Sequence, residues 1–566
     1  MLRVYQSNRL EALVTLLSKQ IQLNPIENLF EPDTILVQSP GMSQWLKLEI
    51  ANQNGIAANL AFPLPSSFIW RLYQTVLNDV PVSSPFNKDR MTWKLYQLLP
   101  EVLNDEEFEH ILRYLQVGQN KETQGDKSAA FAELRRFLLA EKIADVFDNY
   151  LMYRPHWLVH WQEGFDDLPD EVENEITKWQ AILWRRVFSY TLENNSDITP
   201  QSPLHRADMQ AQFLHKLKHS SPELVRSWLP NRLFVFGIST LPAAQLEVLM
   251  AISEHIDIDI MWLNPCSFYW GDIISDKTKA RLSQKQQQVY DINHDAGLNS
   301  FVSGNPLLAG LGKVGRDYLE VLHQANIEFV DLFIEPTKPT DSVLQMMQND
   351  ILNLQFRQSQ SPLSPKQILT DKGKTEWLIN DDSIRIHTCH NAVRELEVLR
   401  DQLLNWFEQD PELEPKDILI MMPDINQYAP YIDSIFTKQK GDDATYIPYT
   451  IADRSGVEQH PLLGTFVELI GLPISRFSVN EILDILEVPV VMQRFNLCSQ
   501  EIALLKHWIG ECQIRWAKDA KQKSDWGLPE LDLNTWLYGL QRMLLGVSNG
   551  DDELWYDILS YSNIEG

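Results

Sequence analysis

The sequence predicts an α/β fold interrupted by an inserted helical domain. Three observations carry this. Strand and helix alternate from the first residues, a long stretch from Phe86 to about Asn194 has almost wholly helical apolar spacing, and strand runs return at Leu233.

In order along the chain, Leu2 to Gln6 read as a short strand. Ser7-Asn8 cap a helix from Arg9 to Gln22 that carries Leu10, Leu13, Leu16 and Leu17 on one face. Thr34 to Val37 is a buried-strand run, Ser39-Pro40-Gly41 is turn chemistry, and helical spacing resumes from Trp45 to Asn52. Met91 to Leu103 and Ala129 to Met152 are lengthy helical segments of the insertion. The core resumes with a strand at Leu233 to Phe236, a helix from Ala243 to Ser253 and a strand from Ile256 to Trp262. Lys277 to Ser303 is a polar stretch, and residues 357–375 are rich in Ser, Pro and Gly, as a linker is. Beyond it, Ser383 to Cys389 and Asp417 to Met422 read as strands around a helix from Arg394 to Phe407, and the chain is mainly helical from about Pro461.

These readings divide the chain into 1–85, the first part of an α/β domain; 86–230, an inserted helical domain; 231–356, the remainder of that α/β domain with helical segments; 357–375, a linker; 376–460, a second α/β domain; and 461–566, a helical insertion truncated at its end. A length of 566 residues agrees with several domains, at roughly 100–200 residues each.

Composition narrows the function. A net charge of −28 excludes a protein that coats duplex DNA by neutralising phosphates over its whole surface, so any nucleic-acid site must be local, with its own basic or aromatic lining. Four cysteines without a CxxC pair support neither a disulfide framework nor a zinc ribbon, and a reducing cytoplasm fits best. With neither a signal-peptide pattern nor a long apolar run, secretion and membrane association are not expected.

The turn from Gln38 to Gln44 stands where an ATPase places its phosphate-binding loop, but it lacks the chemistry. Such a loop needs G-x-x-x-x-G-K-[ST], whose backbone amides, lysine and hydroxyl hold phosphates and magnesium, and only Gly41 is present. The strand ending at Phe236 leads into Gly237-Ile238 rather than the Asp-Glu that would bind magnesium. Gly310 to Gly315 lacks the hydroxyl and the leading strand, and reads as a helix start. On the helix before Pro155, Asp145, Asp148 and Asn149 share a face opposite the apolar face of Ile143, Val146, Phe147, Tyr150 and Leu151. That face is open to three readings: a solvated surface, a metal site, or contacts to base edges. Tyr150, Tyr153, Arg154, Trp157 and Arg206 mix aromatic and cationic groups that suit either single-strand stacking or ordinary packing with a surface ion pair.

The blocks LRVYQSNRL, ILVQSPGMSQWL, GIAANLAFPLPSSFIW, ADVFDNYLMYRPHWL, NPCSFYWGDI, GNPLLAGLGKVGRDY and YIPYTIADR with its following HPLL, then IRWA and RMLLG more weakly, resemble the RecC family, the gamma subunits of bacterial exodeoxyribonuclease V (the RecBCD complex). The resemblance implies a superfamily 1 helicase-like fold, with degenerate RecA-like α/β domains and inserted helical domains, in the N-terminal half of a longer chain. It implies a noncatalytic subunit of an enzyme that processes double-strand breaks. The chain itself would bind no cofactor and no metal, while ATP and magnesium would serve a RecB-like motor-nuclease and a RecD-like helicase. Single- and double-stranded DNA would be its other partners.

The resemblance also implies that a tunnel for the 3′-ended strand recognises the Chi hotspot through Gln38, Pro40, Gln44, Leu64, Trp70, Asp145, Val146, Asp148, Asn149, Arg154 and Arg206. Pro40 and Val146 depart from the Thr and Leu of better-known members, which leaves open whether the same hotspot sequence or a related one is read. Two other classes are weighed against this one: a protein-interaction scaffold, which the acidic charge permits, and an active helicase-nuclease subunit, which would need the missing phosphate loop.

Overall fold

The computed structural model describes residues 1–26, 28, 30–77, 80–103, 105–116, 126–168, 178–194, 205–273, 304–325, 327–336, 342–355, 381–437, 445–452, 460–549, 552, 554–555 and 557–562. The polar stretch 277–303 and the linker at 357–375 lie outside the described residues. The chain divides into two compact units, Met1–Phe108 with Leu139–Ile386, and Glu109–Leu138 with His387–Gly566.

The first unit is built on a six-stranded sheet in the order β3-β2-β4-β5-β1-β6, with every pairing parallel. Its strands are β1 (Leu2–Ser7), β2 (Asp33–Leu36), β3 (Leu60–Ala61), β4 (Arg232–Phe236), β5 (Asp257–Leu263) and β6 (Glu328–Asp331). Apolar runs such as Ile35-Leu36-Val37 and Leu233-Phe234-Val235-Phe236 are continuous because a parallel sheet is covered on both faces. Alternate side chains then separate two cores. Ile35, Val37, Phe234, Phe236 and Met261 pack under α1 (Leu10–Leu23) and α2 (Pro40–Asn54). Val4, Leu36, Leu233, Val235, Ile258 and Ile260 pack on the other face, where α3 (Pro65–Val76) contributes Phe68 and Leu72.

At the start of the strands, two ion pairs are largely buried. Arg232 donates to both oxygens of Asp33 at 2.6 and 3.1 Å, and Arg3 donates to Asp259 at 3.0 Å. A fork of guanidinium nitrogens on one carboxylate satisfies both groups where water is scarce.

Between β3 and β4 the described chain is helical: α4 (Lys88–Val102), α5 (Glu109–Gln116), α6 (Asp126–Tyr153), α7 (Pro155–Gln162), α8 (Lys178–Asn194), α9 (Arg206–His219) and α10 (Pro222–Trp228). Phe86, Phe147, Trp161, Trp184 and Phe213 are fully buried among them. Met209 and Phe213 of α9 join the sheet's own core, so this helix covers the sheet directly. After β4, α11 (Ala243–Ser253) returns the chain to β5.

The helix expected from Trp45 begins at Pro40. Ser39 caps it by accepting from the Met42 amide at 3.3 Å, and Pro40, which needs no donor there, occupies its first turn. The Gly310–Gly315 stretch lies across the junction of two helices, Pro306–Leu311 and Lys313–Gln324. Ser383–Cys389 and Asp417–Met422 form no strand among the described residues. Alternation alone makes no strand without a ladder partner, and Ile386, Leu419 and Met421 stand more than four-fifths exposed. The helices Ala392–Gln409 and Ile425–Phe436 pack on each other through Leu396, Leu403, Ile432 and Phe436.

Candidate nucleic-acid interface

Connections leaving β2 and β4 diverge: α2 carries the chain from β2 outward to β3 over one face, and α11 carries it from β4 toward β5 over the other. Such a switch point opens a crevice at the carboxyl ends of the two strands, where doubly wound sheets bind ligands. The loops at 37–39 and 237–242 line it. Gly237 has φ +62°, and a Cβ there would meet Met42 Cε at 3.4 Å, so the second loop turns back against α2. Only Val37, Gln38 and Ser39 separate β2 from α2. A turn this short cannot wrap a phosphate as the longer glycine-rich loop does.

Gln38, Pro40 and Gln44 are exposed at this turn. Pro40 and Gln44, four apart on α2, share one face. The Val37 amide donates to Pro63 O at 3.3 Å, joining this turn to the one that ends in Leu64, the exposed residue preceding α3. From α3, Trp70 points to a recess that it shares with Ser66, Ile69 and Tyr73 of the same helix, Leu151 and Met152 of α6, Arg206 and Gln210 of α9, and Ala244 and Gln245 of α11. Two donors in it, Trp70 Nε1 and Arg206 Nη1, are buried without a hydrogen-bond acceptor. Burial pushes the Tyr73 hydroxyl well up, so it stays protonated.

The carboxylates of α6 face cations. Asp145 lies 3.2 Å from Lys88 and 3.5 Å from Lys142, and Asp148 lies 3.6 Å from Arg206. The Lys88 ammonium holds the Asp145 carboxyl below its usual range. Asn149 donates from Nδ2 to Asp145 O at 2.8 Å. No cluster of three metal-ligating side chains occurs among the described residues. Val146, expected on the buried face, is half-buried. Arg154 is exposed and lies over the Trp157 ring at 5.7 Å.

The structure thus brings Trp70, Arg206 and Asp148 together, and separately sets Gln38, Pro40, Gln44 and Leu64 around two adjoining turns. Sequence reasoning missed Ser66, Gln210 and Gln245 in the recess and Lys88 beside Asp145. These are lone polar residues on otherwise ordinary helices, and no local spacing marks them.

His205, which caps α9 just before Arg206, is fully buried against Phe86, Trp184 and Phe188. Burial pushes its imidazole below its ordinary value, opposed by the weaker pull of Asp208. The folded chain therefore keeps it neutral where the unfolded chain takes up a proton, so stability is lost as pH falls through the ordinary histidine value of about 6.5. Urea unfolding at about pH 7.5 and about pH 5.5 should show this decline, flattened in His205→Gln, where the amide retains a cap acceptor. An undiminished decline in the variant would assign it to other groups.

Residues 2–354 match the family model described as RecC, N-terminal domain, and residues 459–566 match the one described as RecBCD enzyme subunit RecC fourth domain. The chain is 38% identical over 583 residues to the RecBCD enzyme subunit RecC of Escherichia coli (strain K12), covering 100% of this chain and 50% of that protein. It is 35% identical over 601 residues to that of Haemophilus influenzae, with the same coverage, and 29% identical over 567 residues to that of Mycolicibacterium smegmatis, covering 97% of this chain and 46% of the other. It spans about half the length of these relatives.

Proposed function

The chain belongs to the RecC family, and from that premise we propose that it is part of a noncatalytic subunit of an ATP-dependent helicase-nuclease that processes double-strand DNA breaks for recombinational repair. In this reading it guides the separated strands and recognises the Chi hotspot in the 3′-ended single strand. Its partners are DNA, a RecB-like motor-nuclease and a RecD-like helicase, and ATP and magnesium act in those subunits. The doubly wound sheet is read as a degenerate superfamily 1 helicase core. Its place of action is the cytoplasm; no helix among the described residues is long and apolar enough to cross a membrane.

The observation that carries this reading is the recess. Trp70 and Arg206, far apart in sequence, line one concavity on a chain of net charge −28, with the Arg206 guanidinium 3.6 Å from Asp148. A cation and an aromatic ring held together within an acidic exterior are what a local single-strand site requires. The noncatalytic reading draws on the three-residue turn before α2 and on Gly237 where a magnesium-binding carboxylate would stand.

Photocrosslinking tests it. Photoreactive side chains at positions 44 and 70 of the full-length protein in the assembled enzyme are expected to capture the translocating 3′-ended strand. If neither position captures DNA, the chain is a protein-interaction scaffold instead.

A further inference from the structure

His215 and His219 stand one turn apart at the carboxyl end of α9, on the face opposite Met209, Phe213 and Leu217, which are buried. Both histidines are exposed. Their rings stack with centroids 4.1 Å apart and planes 24° from parallel. His219 Nδ1 lies 2.7 Å from the backbone oxygen of His215. A carbonyl oxygen only accepts, so in the neutral ring the proton sits on Nδ1 and Nε2 keeps its lone pair.

Metal-binding histidines are held in this way: a backbone carbonyl takes one ring N–H and fixes the tautomer, and the other nitrogen coordinates. The His215 ring makes no hydrogen bond among the described residues. Rotation about its Cβ–Cγ bond, a torsion with broad minima, can bring a nitrogen to the same point. Two imidazole–metal bonds of about 2.0–2.1 Å span about 4 Å at most, which is the spacing of the stacked rings.

The neighbours decide which ion suits the pair. Lys216 is turned away, donating to Val76 O with its ammonium 5.9 Å from the Trp228 ring. Ala211 and Gln212, one turn earlier, carry no charge, and Asp208 of the same helix is paired with His205 at 3.2 Å. The ligand set is therefore imidazole without carboxylate, which suits zinc, nickel or copper and not magnesium or calcium. We propose that His215 and His219 form a chelating site for a late first-row divalent transition-metal ion, with water in its remaining positions. The ion staples the last turn of α9. Because Met209 and Phe213 of this helix pack into the sheet's core, an ion that binds only when the two rings meet also stabilises the folded chain.

The test uses the full-length protein, stripped of metal by a chelator, at about pH 7.5, above the ordinary histidine value. Zn²⁺ affinity, measured by competition with a chromophoric chelator, is expected to fall about tenfold or more in His215→Asn and in His219→Asn, since even the outer hydrogen-bond partner of a ligand is worth about that much. Mg²⁺ is expected not to compete. With one equivalent of Cu²⁺, electron paramagnetic resonance should show coupling to two imidazole nitrogens, lost in either variant. Zn²⁺ should raise the Tm of the parent protein and not that of the double variant, while the metal-free Tm stays the same in both because the pair is exposed. Equal Zn²⁺ affinity and an unchanged Cu²⁺ spectrum in the double variant would overturn the proposal, as would displacement of Zn²⁺ by Mg²⁺.

Discussion

Replacing Trp184 by alanine is expected to lower the stability of the first unit by about 3–5 kcal/mol, the range for emptying a large aromatic site in a close-packed core. Trp184 is fully buried, and its ring lies 5.4 Å from Phe86, 5.4 Å from Phe147 and 5.9 Å from His205. It therefore joins the segment leading into α4, the C-terminal part of α6 and the cap of α9. Its Nε1 is buried with no hydrogen-bond partner, so this indole contributes packing and no bond. Trp184→Phe should consequently cost much less than Trp184→Ala, because it keeps most of the volume and removes an unsatisfied donor. Urea unfolding of the three proteins, with unchanged slope and a shifted midpoint, is the measurement. Equal losses in Phe and Ala would show that the indole N–H makes a contact that matters.

In the proposed reading, Arg206→Ala is expected to reduce the assembled enzyme's response to the hotspot by roughly tenfold to a hundredfold, the value of one good base contact, while unwinding without the hotspot changes little. The effect should come from the lost donor rather than from the lost ion pair. Arg206 and Asp148 are 3.6 Å apart with about a third of each side chain exposed, and such a pair contributes well under about 1 kcal/mol. Asp148→Asn should therefore have the smaller effect on stability, and a double-mutant cycle between the two positions should show weak coupling. Parallel loss of unwinding and hotspot response in Arg206→Ala would instead indicate that α9 is misplaced.

Much of the fold was legible because buried parallel strands announce themselves. Ile35 to Val37 and Leu233 to Phe236 are apolar without interruption, and the helix Ala243–Ser253 matches its expected bounds. The start of α2 was not, since Ser39-Pro40-Gly41 has the composition of a turn, and the same Ser-Pro pair is also a helix cap followed by a first-turn proline. Ser383–Cys389 shows the opposite failure: the alternation is present, but a strand is a property of two segments, and the sequence of one cannot supply the other. At the site, family resemblance supplied Trp70, and Arg206 already stood among the aromatic and cationic residues, whereas Asp148 facing Arg206 and Lys88 facing Asp145 are tertiary meetings between helices that no spacing encodes. Gln245 was invisible, a single amide on a helix otherwise rich in Leu, Val and Ala.

The walls of the recess come from four separate helices, and no two of these are consecutive in the chain. A chimera that exchanges one loop or one helix between relatives would therefore inherit only a fragment of this lining. One codon change on any of the four helices can alter the surface the recess presents while the sheet beneath keeps its packing, so relatives can diverge here long before they diverge in architecture.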